Sequence, residues 1–267
     1  LDNGEFIRVK ITIDKIKREA TIDFTGTAPK NPLNYNAPMA VCHAVILYVF
    51  RTLVGSNIPL NEGCFKPLNI IIPNNAMINA KYPSAVIAGN TEVSQLTCNA
   101  LFGALGIIAG SQATMNNFIW GNDKIQNYET ICGGTGAGPN FHGTSAVQTH
   151  MTNTRSTDPE ILEARFPVRL EEYSIRKNSG GKGMFNGGDG VTRKLRFLEP
   201  MTVTTLCSHR RVKPFGVDGG EPGQCGKEWL EKEDGGFIKL EGNDSCEVKV
   251  NDLFVMETPG GGGFGSK

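Results

Sequence analysis

A run of polar side chains between residues 149 and 158 is the part of the sequence best equipped for chemistry. Nine of these ten positions are polar, a density that a plain connector between packed elements seldom needs; they read THMTNTRSTD. His150 offers an imidazole that can move a proton near neutral pH, and the planar guanidinium of Arg155 can make two parallel hydrogen bonds to a carboxylate. The segment therefore predicts a binding or catalytic loop.

The residues after this loop predict a short helix that begins at the end of the loop. Asp158 suits the N-cap position, Pro159 suits the first helical turn, and Thr157 with Glu160 provides part of a capping pattern. Backbone N–H groups at a helix start favour an anion such as a carboxylate or a phosphate. The alternative is that the loop side chains cap the helix and hold their own backbone, as Asn, Asp, Ser and Thr commonly do.

Length, charge and cysteine content narrow the class of protein. The chain has 267 residues, enough for one large domain or two smaller ones, and 27 basic residues balance 27 acidic ones. This balance gives no support to nucleic acid or an anionic membrane as partner. The seven scattered cysteines form no C-x-x-C pair, which predicts reduced thiols in a cytoplasmic protein rather than a zinc ribbon. Because the sequence opens on Leu1 without a Met, it is expected to belong to a longer polypeptide.

The spacing of apolar residues predicts an α+β fold with two buried helices. Alternating segments and one short apolar segment bounded by prolines predict strands at residues 5–14, 19–25, 67–73, 115–120 and 125–132. Longer apolar segments predict helices at residues 37–54 and 91–113. Within the first of these helices, His43 fits a core residue better than a ligand.

After Pro167 the pattern consists of strands alone. Short alternating segments lie at residues 169–176, 191–197, 202–207, 228–231, 237–240 and 246–250. Their spacing and the glycine-rich turns between them predict a β-sandwich or a barrel-like arrangement. We therefore predict an α+β region over residues 1–167 and a β-rich carboxy-terminal region over residues 168–267.

Two further groups of residues leave alternatives open. The glycine segment at residues 133–139, GGTGAGP, predicts either a nest of N–H groups beside the polar loop or a chain that turns sharply past a packed neighbour. It lacks the Gly-Lys-Ser/Thr of a P-loop. The other group is basic and fits a solvated surface better than an anion site; its members are Arg193, Arg210, Arg211 and Lys213.

Several motifs together resemble the hydantoinase B/5-oxoprolinase family, and specifically the carboxy-terminal part of ATP-dependent 5-oxoprolinases. They span nearly the whole chain in the order of that family. They are DFTGT at 23–27, IPLNEGC at 58–64, Gln112 with MNN at 115–117, GGTGAGP at 133–139, the segment 150–163, SGGKG at 179–183, GGDGVTR at 187–193, GGEPG at 219–223 and TPGGGGFG at 258–265.

The resemblance implies a division of labour between two kinds of polypeptide. A hydantoinase A-type ATPase domain or subunit, which binds ATP with Mg²⁺, phosphorylates the lactam oxygen, and the B-type portion promotes water attack and ring opening. The ATP site and any divalent metal are expected outside this chain, since no phosphate-binding ATPase segment is present in it. A homo-oligomer is expected, and the isolated chain is expected to be inactive.

Site roles follow from the residues of the loop and from the glycine segment beside it. We predict His150 and Asp158 as catalytic residues. We predict that 5-oxoproline or its phosphorylated form is held by Asn153, Thr154, Arg155, Gly133 and Gly134. The alternatives are a hydantoinase B-type or ketone carboxylase subunit, and a region that serves assembly rather than catalysis.

Overall fold

The computed structural model describes residues 1–266, and the chain forms two compact units. The first unit consists of Leu1 with Asn3–Ile107, and the second of Asp2 with the residues from Ile108 onward. The sequence boundary predicted at Pro167 lies inside the second unit. Three α-helices and twelve strands in three sheets over the described residues confirm the α+β class.

The sheet of the first unit has three strands in the order β1-β2-β3. The strands are β1 (Lys10–Asp14), β2 (Glu19–Asp23) and β3 (Leu68–Ile71). Strands β1 and β2 form the predicted antiparallel hairpin, and β3 joins β2 in parallel. The prediction of a buried strand at residues 67–73 is wrong in part, because β3 is at the edge of the sheet and Ile71 is 41% exposed.

Two helices of the first unit pack against each other. Helix α1 (Met39–Thr52) buries one face at a spacing of three and four residues, formed by Cys42, Val45, Ile46 and Val49. His43 is partly buried and its ring lies 5.7 Å from that of Phe65, in line with a packing role.

Helix α2 (Ser94–Leu105) follows a π-helical turn at Gly89–Val93 and is shorter than predicted. Gly106 adopts a left-handed conformation with φ of 68°, which ends the helix there. The extension to Ala113 is therefore wrong, and Gly110 lies beyond the helix. None of the helices within residues 1–266 combines the length and hydropathy that a membrane span requires.

The second unit is a sandwich of two antiparallel sheets. One sheet has the order β11-β8-β4-β5 and the other the order β10-β9-β12-β7-β6. The strands are β4 (Asn117–Gly121), β5 (Gln126–Thr130), β6 (Val168–Arg176), β7 (Gly190–Phe197), β8 (Met201–Leu206), β9 (Lys227–Glu231), β10 (Phe237–Leu240), β11 (Asn243–Val248) and β12 (Leu253–Glu257). Aromatic rings join the sheets, since Phe118 of β4 stacks on Phe254 of β12 at 4.7 Å. A short helix, α3 (Pro159–Arg165), precedes β6.

The prediction missed strand β12, although it is central to the five-stranded sheet. It pairs with β7 on one side and with β9 on the other. Its residues read LFVME and three neighbouring ones, Phe254, Val255 and Met256, are buried. Because such a strand is covered on both faces, it shows no alternation of apolar and polar residues.

Glycine-rich segments connect these strands and bond directly to one another. Gly188 N–H donates to the carbonyl of Thr135 (2.9 Å), Gly261 N–H to that of Gly188 (2.8 Å), and Gly181 N–H to that of Gly261 (2.8 Å). A Cβ atom added to Gly134 would lie 2.0 Å from the carbonyl oxygen of Gly188. Glycine is required there because one backbone touches another, which supports the second of the two interpretations of segment 133–139.

We expect Gly134→Ala to destabilise the second unit severely, because backbone on both sides of the new methyl would have to move. A matched control is Gly235→Ala, which meets no atom within 4 Å and has φ of 85°. That control should cost about 1 kcal/mol through backbone strain alone. Thermal unfolding compares the two; equal losses of stability would contradict the close-packing explanation.

Candidate functional site

The polar loop is fixed at its base to the glycine segment and to β5. Gly133 and Val147 exchange both backbone hydrogen bonds, at 3.1 and 3.0 Å. The Gln148 amide donates to the carbonyl and the hydroxyl of Thr130, at 3.1 and 3.2 Å. The hydroxyl of Thr154 also bonds that of Thr130, so the end of β5 holds the loop at two points.

The predicted site residues differ in their exposure. Asn153, Arg155 and Asp158 are exposed, whereas His150 and Thr154 are partly buried. Exposed amide and guanidinium groups are accessible to a ligand. Binding of substrate by Asn153, Thr154 and Arg155 stays a prediction.

Gly133 and Gly134 are buried, and their N–H groups are engaged within the chain. Gly133 N–H donates to the carbonyl of Val147, and Gly134 N–H donates to that of Pro259 (3.0 Å). These two residues therefore form the base of the loop, and their N–H groups are not free donors, as the first of the two interpretations of the segment would require. Their contact with a substrate stays a prediction.

Asp158 caps helix α3, as its residue type predicts. Its carboxylate accepts a hydrogen bond from the backbone N–H of Glu160 at 3.2 Å, Pro159 occupies the first turn, and Leu162 is fully buried beneath the helix. This carboxylate therefore fixes where the loop ends and the helix begins. A direct catalytic role for Asp158 stays a prediction.

The environment of His150 changes its chemistry. Burial lowers the pKa of His150 to about 4, because a charged imidazolium loses hydration there. At neutral pH the ring is therefore uncharged, and its charge change lies below the neutral range that its residue type suggests. The same burial makes the ring a weaker base than an ordinary histidine.

A cluster that the sequence analysis did not identify lies at the end of the loop. The hydroxyl of Tyr173, on β6, bonds both the hydroxyl of Ser156 (3.0 Å) and the thiol of Cys132 (3.1 Å). The guanidinium of Arg193 lies over the Tyr173 ring, 4.9 Å from its centre. Burial raises the pKa values of Cys132 and Tyr173, so both groups are neutral donors at physiological pH. No local sequence pattern joins these residues, since they come from four separate segments.

Arg193 and Glu129 form an ion pair in the interior of the sandwich. Their nearest atoms, Nη2 and Oε2, lie 2.7 Å apart, and their side chains are 1% and 3% exposed. Burial raises the pKa of Glu129, an effect that Arg193 opposes. Arg193 belongs to β7 and Glu129 to β5, so the pair connects the two sheets. The predicted solvated basic surface is therefore wrong for Arg193.

That prediction is also wrong for Arg210, whose side chain is 5% exposed. Its guanidinium bonds the buried carboxylate of Glu228 (2.7 Å), the amide oxygen of Asn116 (2.9 Å) and the carbonyl of Ser208 (2.7 Å). Asn116 in turn donates to the amide oxygen of Gln112 at 2.7 Å. This network fixes the segment just before β4.

The neighbouring basic residues behave differently. Arg211 and Lys213 are exposed, as a solvated surface requires, and Arg211 pairs with Glu241 at 3.0 Å. The carboxylate of Asp2 accepts the backbone N–H groups of three successive residues, 210 to 212, at 2.7, 3.0 and 2.8 Å. An anion is therefore already bound at this turn, and it comes from the chain itself.

In the first unit, Glu92 is a further candidate that sequence reasoning missed. It is fully buried in the π-helical turn, and the buried polar residues Ser94, Gln95 and Asn99 follow it on α2. Single π-helical turns occur often at functional sites. The available signal was a Glu within a segment predicted to be buried, because carboxylates are seldom fully buried unless they are paired.

The donor set gives no support to a metal centre in the part of the chain that the structure describes. Within residues 1–266, no three His, Cys, Asp or Glu side chains lie close enough to hold a metal ion. The seven cysteines are free thiols, in agreement with the sequence prediction.

Comparison with known proteins identifies the class of protein that has this fold. An ATP-dependent caprolactamase from Pseudomonas jessenii superposes with a TM-score of 0.81 over 98% of this chain and 49% of its own, at 22% sequence identity, which shows a shared fold. The family model for hydantoinase B/oxoprolinase matches residues 1–267. The chain belongs to the hydantoinase B/oxoprolinase family.

Two relatives within that family are similar over the full length of this chain. They are a 5-oxoprolinase of Dictyostelium discoideum, 43% identical over 267 residues, and 5-oxoprolinase 1 of Arabidopsis thaliana, 45% identical over 266 residues. The alignments cover all of this chain but 21% of each relative. The chain thus spans about a fifth of the length of the relatives it matches, and the resemblance inferred from the motifs is confirmed.

We expect Arg193→Met to lower the free energy of unfolding by about 3–5 kcal/mol, because it leaves the buried Glu129 carboxylate without its cation. The double variant Glu129→Leu with Arg193→Met should recover most of the loss, since no buried charge then remains. Chemical unfolding of the three proteins tests this. A single variant as stable as the parent would contradict the importance of the pair.

The lowered pKa of His150 predicts a pH-dependent contribution to stability. Between pH 6.5 and about 4 the unfolded chain binds the proton first, so protonation favours unfolding and stability falls as the pH falls through this window. Below about pH 4 both states are protonated and the loss is complete. The melting temperature of His150→Gln relative to the parent should therefore rise from pH 7 to pH 4; a constant difference would contradict the burial of a neutral imidazole.

Proposed function

We propose that the chain is part of a cytoplasmic ATP-dependent 5-oxoprolinase, which converts 5-oxo-L-proline, ATP and water into L-glutamate, ADP and phosphate. The observation that carries the proposal is the identity of 43% and 45% to two 5-oxoprolinases over the whole chain. Because those proteins are about five times longer, the complete reaction belongs to the complete polypeptide.

The chemistry explains why such an enzyme needs two kinds of site. A resonance-stabilised amide in an unstrained five-membered ring resists attack by water, and conversion of its oxygen into a phosphate ester makes the ring carbon electrophilic. We place ATP and Mg²⁺ on a hydantoinase A-type ATPase domain or subunit outside this chain. This chain contributes one wall of the site where the phosphorylated ring opens.

On this proposal the polar loop holds the substrate by its carboxylate. Arg155 supplies a planar pair of donors, Asn153 and Thr154 add polar contacts beside it, and the bonds to Thr130 keep the loop in place as far as Thr154. His150, uncharged at neutral pH, accepts the proton of the attacking water. Asp158 acts by fixing the end of the loop to α3.

A related enzyme of the family is the second candidate. The fold is shared with a protein named as an ATP-dependent caprolactamase, so another cyclic amide is a candidate substrate. A panel of 5-oxoproline, hydantoin and caprolactam, tested on the complete polypeptide with ATP, distinguishes these activities. Turnover of hydantoin without turnover of 5-oxoproline would favour a hydantoinase B-type subunit, and turnover of a ketone with bicarbonate would favour a carboxylase.

An assembly region without catalytic contact is the third candidate. Here the glycine segments and the β-rich part would serve contacts between copies of the enzyme. Sedimentation of the complete protein and of loop variants separates the two roles: variants that lose turnover but keep the assembly support the site, and variants that lose assembly first support the scaffold.

We expect Arg155→Ala to lower kcat/KM for 5-oxoproline by about 10- to 100-fold, mainly through KM, because charge-assisted hydrogen bonds contribute about 1.5–3 kcal/mol. Arg155→Lys should recover part of this loss, since it keeps the charge but not the fork. Steady-state kinetics of the complete polypeptide provide the measurement.

The matched control is Arg165→Ala, an exposed arginine in the last turn of α3. It removes the same charge from another exposed position and should leave kcat/KM unchanged. If Arg155→Ala behaves like this control, the proposed carboxylate contact is wrong.

A further inference from the structure

Tyr173 is placed where three parts of the second unit meet. Its hydroxyl bonds Ser156 at the end of the polar loop and Cys132, the residue just before the glycine segment, at 3.0 and 3.1 Å. Tyr173 itself lies on β6, directly opposite Arg193 of β7 in the antiparallel pair. One phenol thus joins the loop, the base of the loop and the five-stranded sheet.

The ring of Tyr173 is held more firmly than its 36% exposure suggests. Arg193 covers one face of the ring at 4.9 Å, and Arg193 is itself fixed by its ion pair with Glu129. The hydroxyl is neutral at physiological pH because burial raises the pKa of Tyr173, so it can donate one hydrogen bond and accept another. The buried pair of Arg193 and Glu129 therefore orients the Tyr173 hydroxyl, which contacts the loop at the surface.

The Tyr173 hydroxyl and Thr130 hold different parts of the polar loop. Gln148 and Thr154 are bonded to Thr130, which fixes the first part of the loop. Ser156 is exposed and lies next to Arg155, the proposed carboxylate ligand. Its bond to Tyr173 joins this later part of the loop to the sheet. Freeing Ser156 would therefore let Arg155 move while His150 keeps its place.

We propose that Tyr173 is a positioning residue for the reaction, which holds Arg155 in its binding conformation through Ser156. This inference rests on the proposed function, because it assigns the loop to the substrate site. It requires that loss of the hydroxyl weaken substrate binding more than turnover of bound substrate. It also requires that loss of Ser156 have the same effect by the same route.

The test compares Tyr173→Phe, Ser156→Ala and the double variant in the complete polypeptide. Tyr173→Phe keeps the ring under Arg193 and removes the hydroxyl, so the fold should be retained. We expect KM for 5-oxoproline to rise about 5- to 20-fold, which is the size of one or two lost hydrogen bonds, with kcat changed less than threefold. The double variant should be no worse than Tyr173→Phe alone, because the two residues act through one contact.

A second measurement reports on the loop without using activity. Trypsin cleaves after arginine, so the Arg155–Ser156 bond is a natural probe of local opening, followed by mass spectrometry of the released peptide. Cleavage of this bond should be several-fold faster in Tyr173→Phe than in the parent. The matched control is Tyr128→Phe on β5, which removes a hydroxyl that donates to the amide oxygen of Asn117 at 2.7 Å. This variant should change neither the cleavage nor the kinetics.

The outcomes separate the two proposals. Unchanged cleavage in Tyr173→Phe, or additive effects in the double variant, would overturn the positioning role and leave the substrate site intact if Arg155→Ala still raises KM. Faster cleavage in Tyr173→Phe, together with unchanged kinetics in both Tyr173→Phe and Arg155→Ala, would show that the loop opens but does not bind substrate. That result overturns the positioning role together with the proposed function.

Discussion

Direct contact between backbones of glycine segments is the constraint on which the second unit depends. The segments around residues 134, 188 and 261 approach so closely that a single added methyl would overlap a carbonyl group. Hydrogen bonds between the same segments satisfy the polar groups that this packing buries, as at Gly188 and Gly261. Side-chain oxygens complete the network, since those of Asp189, Ser145 and Ser179 accept further backbone N–H groups at 2.7, 2.8 and 2.8 Å.

The polar loop takes its position from that region. Gly133, at the start of one glycine segment, pairs with Val147, and the loop begins two residues later. At its other end, Asp158 and Leu162 fix the loop to helix α3. The loop is therefore attached at both ends to parts of the fold that have little freedom to move, while Asn153 and Arg155 between them remain exposed. Rigid support for a polar segment is what a binding site requires.

Charged side chains lie inside the sandwich as well as on its surface. Glu129 and Arg193 lie between sheets that otherwise meet through aromatic and aliphatic side chains, such as Phe118, Phe254 and Leu195. Such a pair adds little net stability, because the hydration that both ions lose offsets their attraction. The pair does fix the orientation of both side chains, since their charged groups must meet in one geometry. Through its contact with Tyr173, Arg193 also holds the ring of that residue on β6, the edge strand of the sheet.

Much of the fold was predictable because it follows local rules. The hairpin at β1 and β2, the two helices and the N-cap at Asp158 all follow from periodicity or from capping chemistry within a few residues. Strand β12 was not predicted because both of its faces are covered, so its sequence shows no alternation of apolar and polar residues.

The site divides in the same way between local and long-range information. The polar density of the loop is visible in ten residues, whereas Cys132, Ser156, Tyr173 and Arg193 come together through the pairing of distant segments. Their residue types fit many roles on their own. The prediction that Arg193 and Arg210 lie on a solvated surface failed for the same reason, because their partners Glu129 and Glu228 lie on other segments of the chain.

The order of strands in the two sheets affects how the chain emerges from the ribosome. Strand β4 pairs with β8, whose residues come about eighty positions later, and β12 enters between β7 and β9 after both have been made. Until then the nascent chain exposes unpaired strand edges that invite wrong partners. The five-stranded sheet can therefore close only after residues 253–257 have left the ribosome.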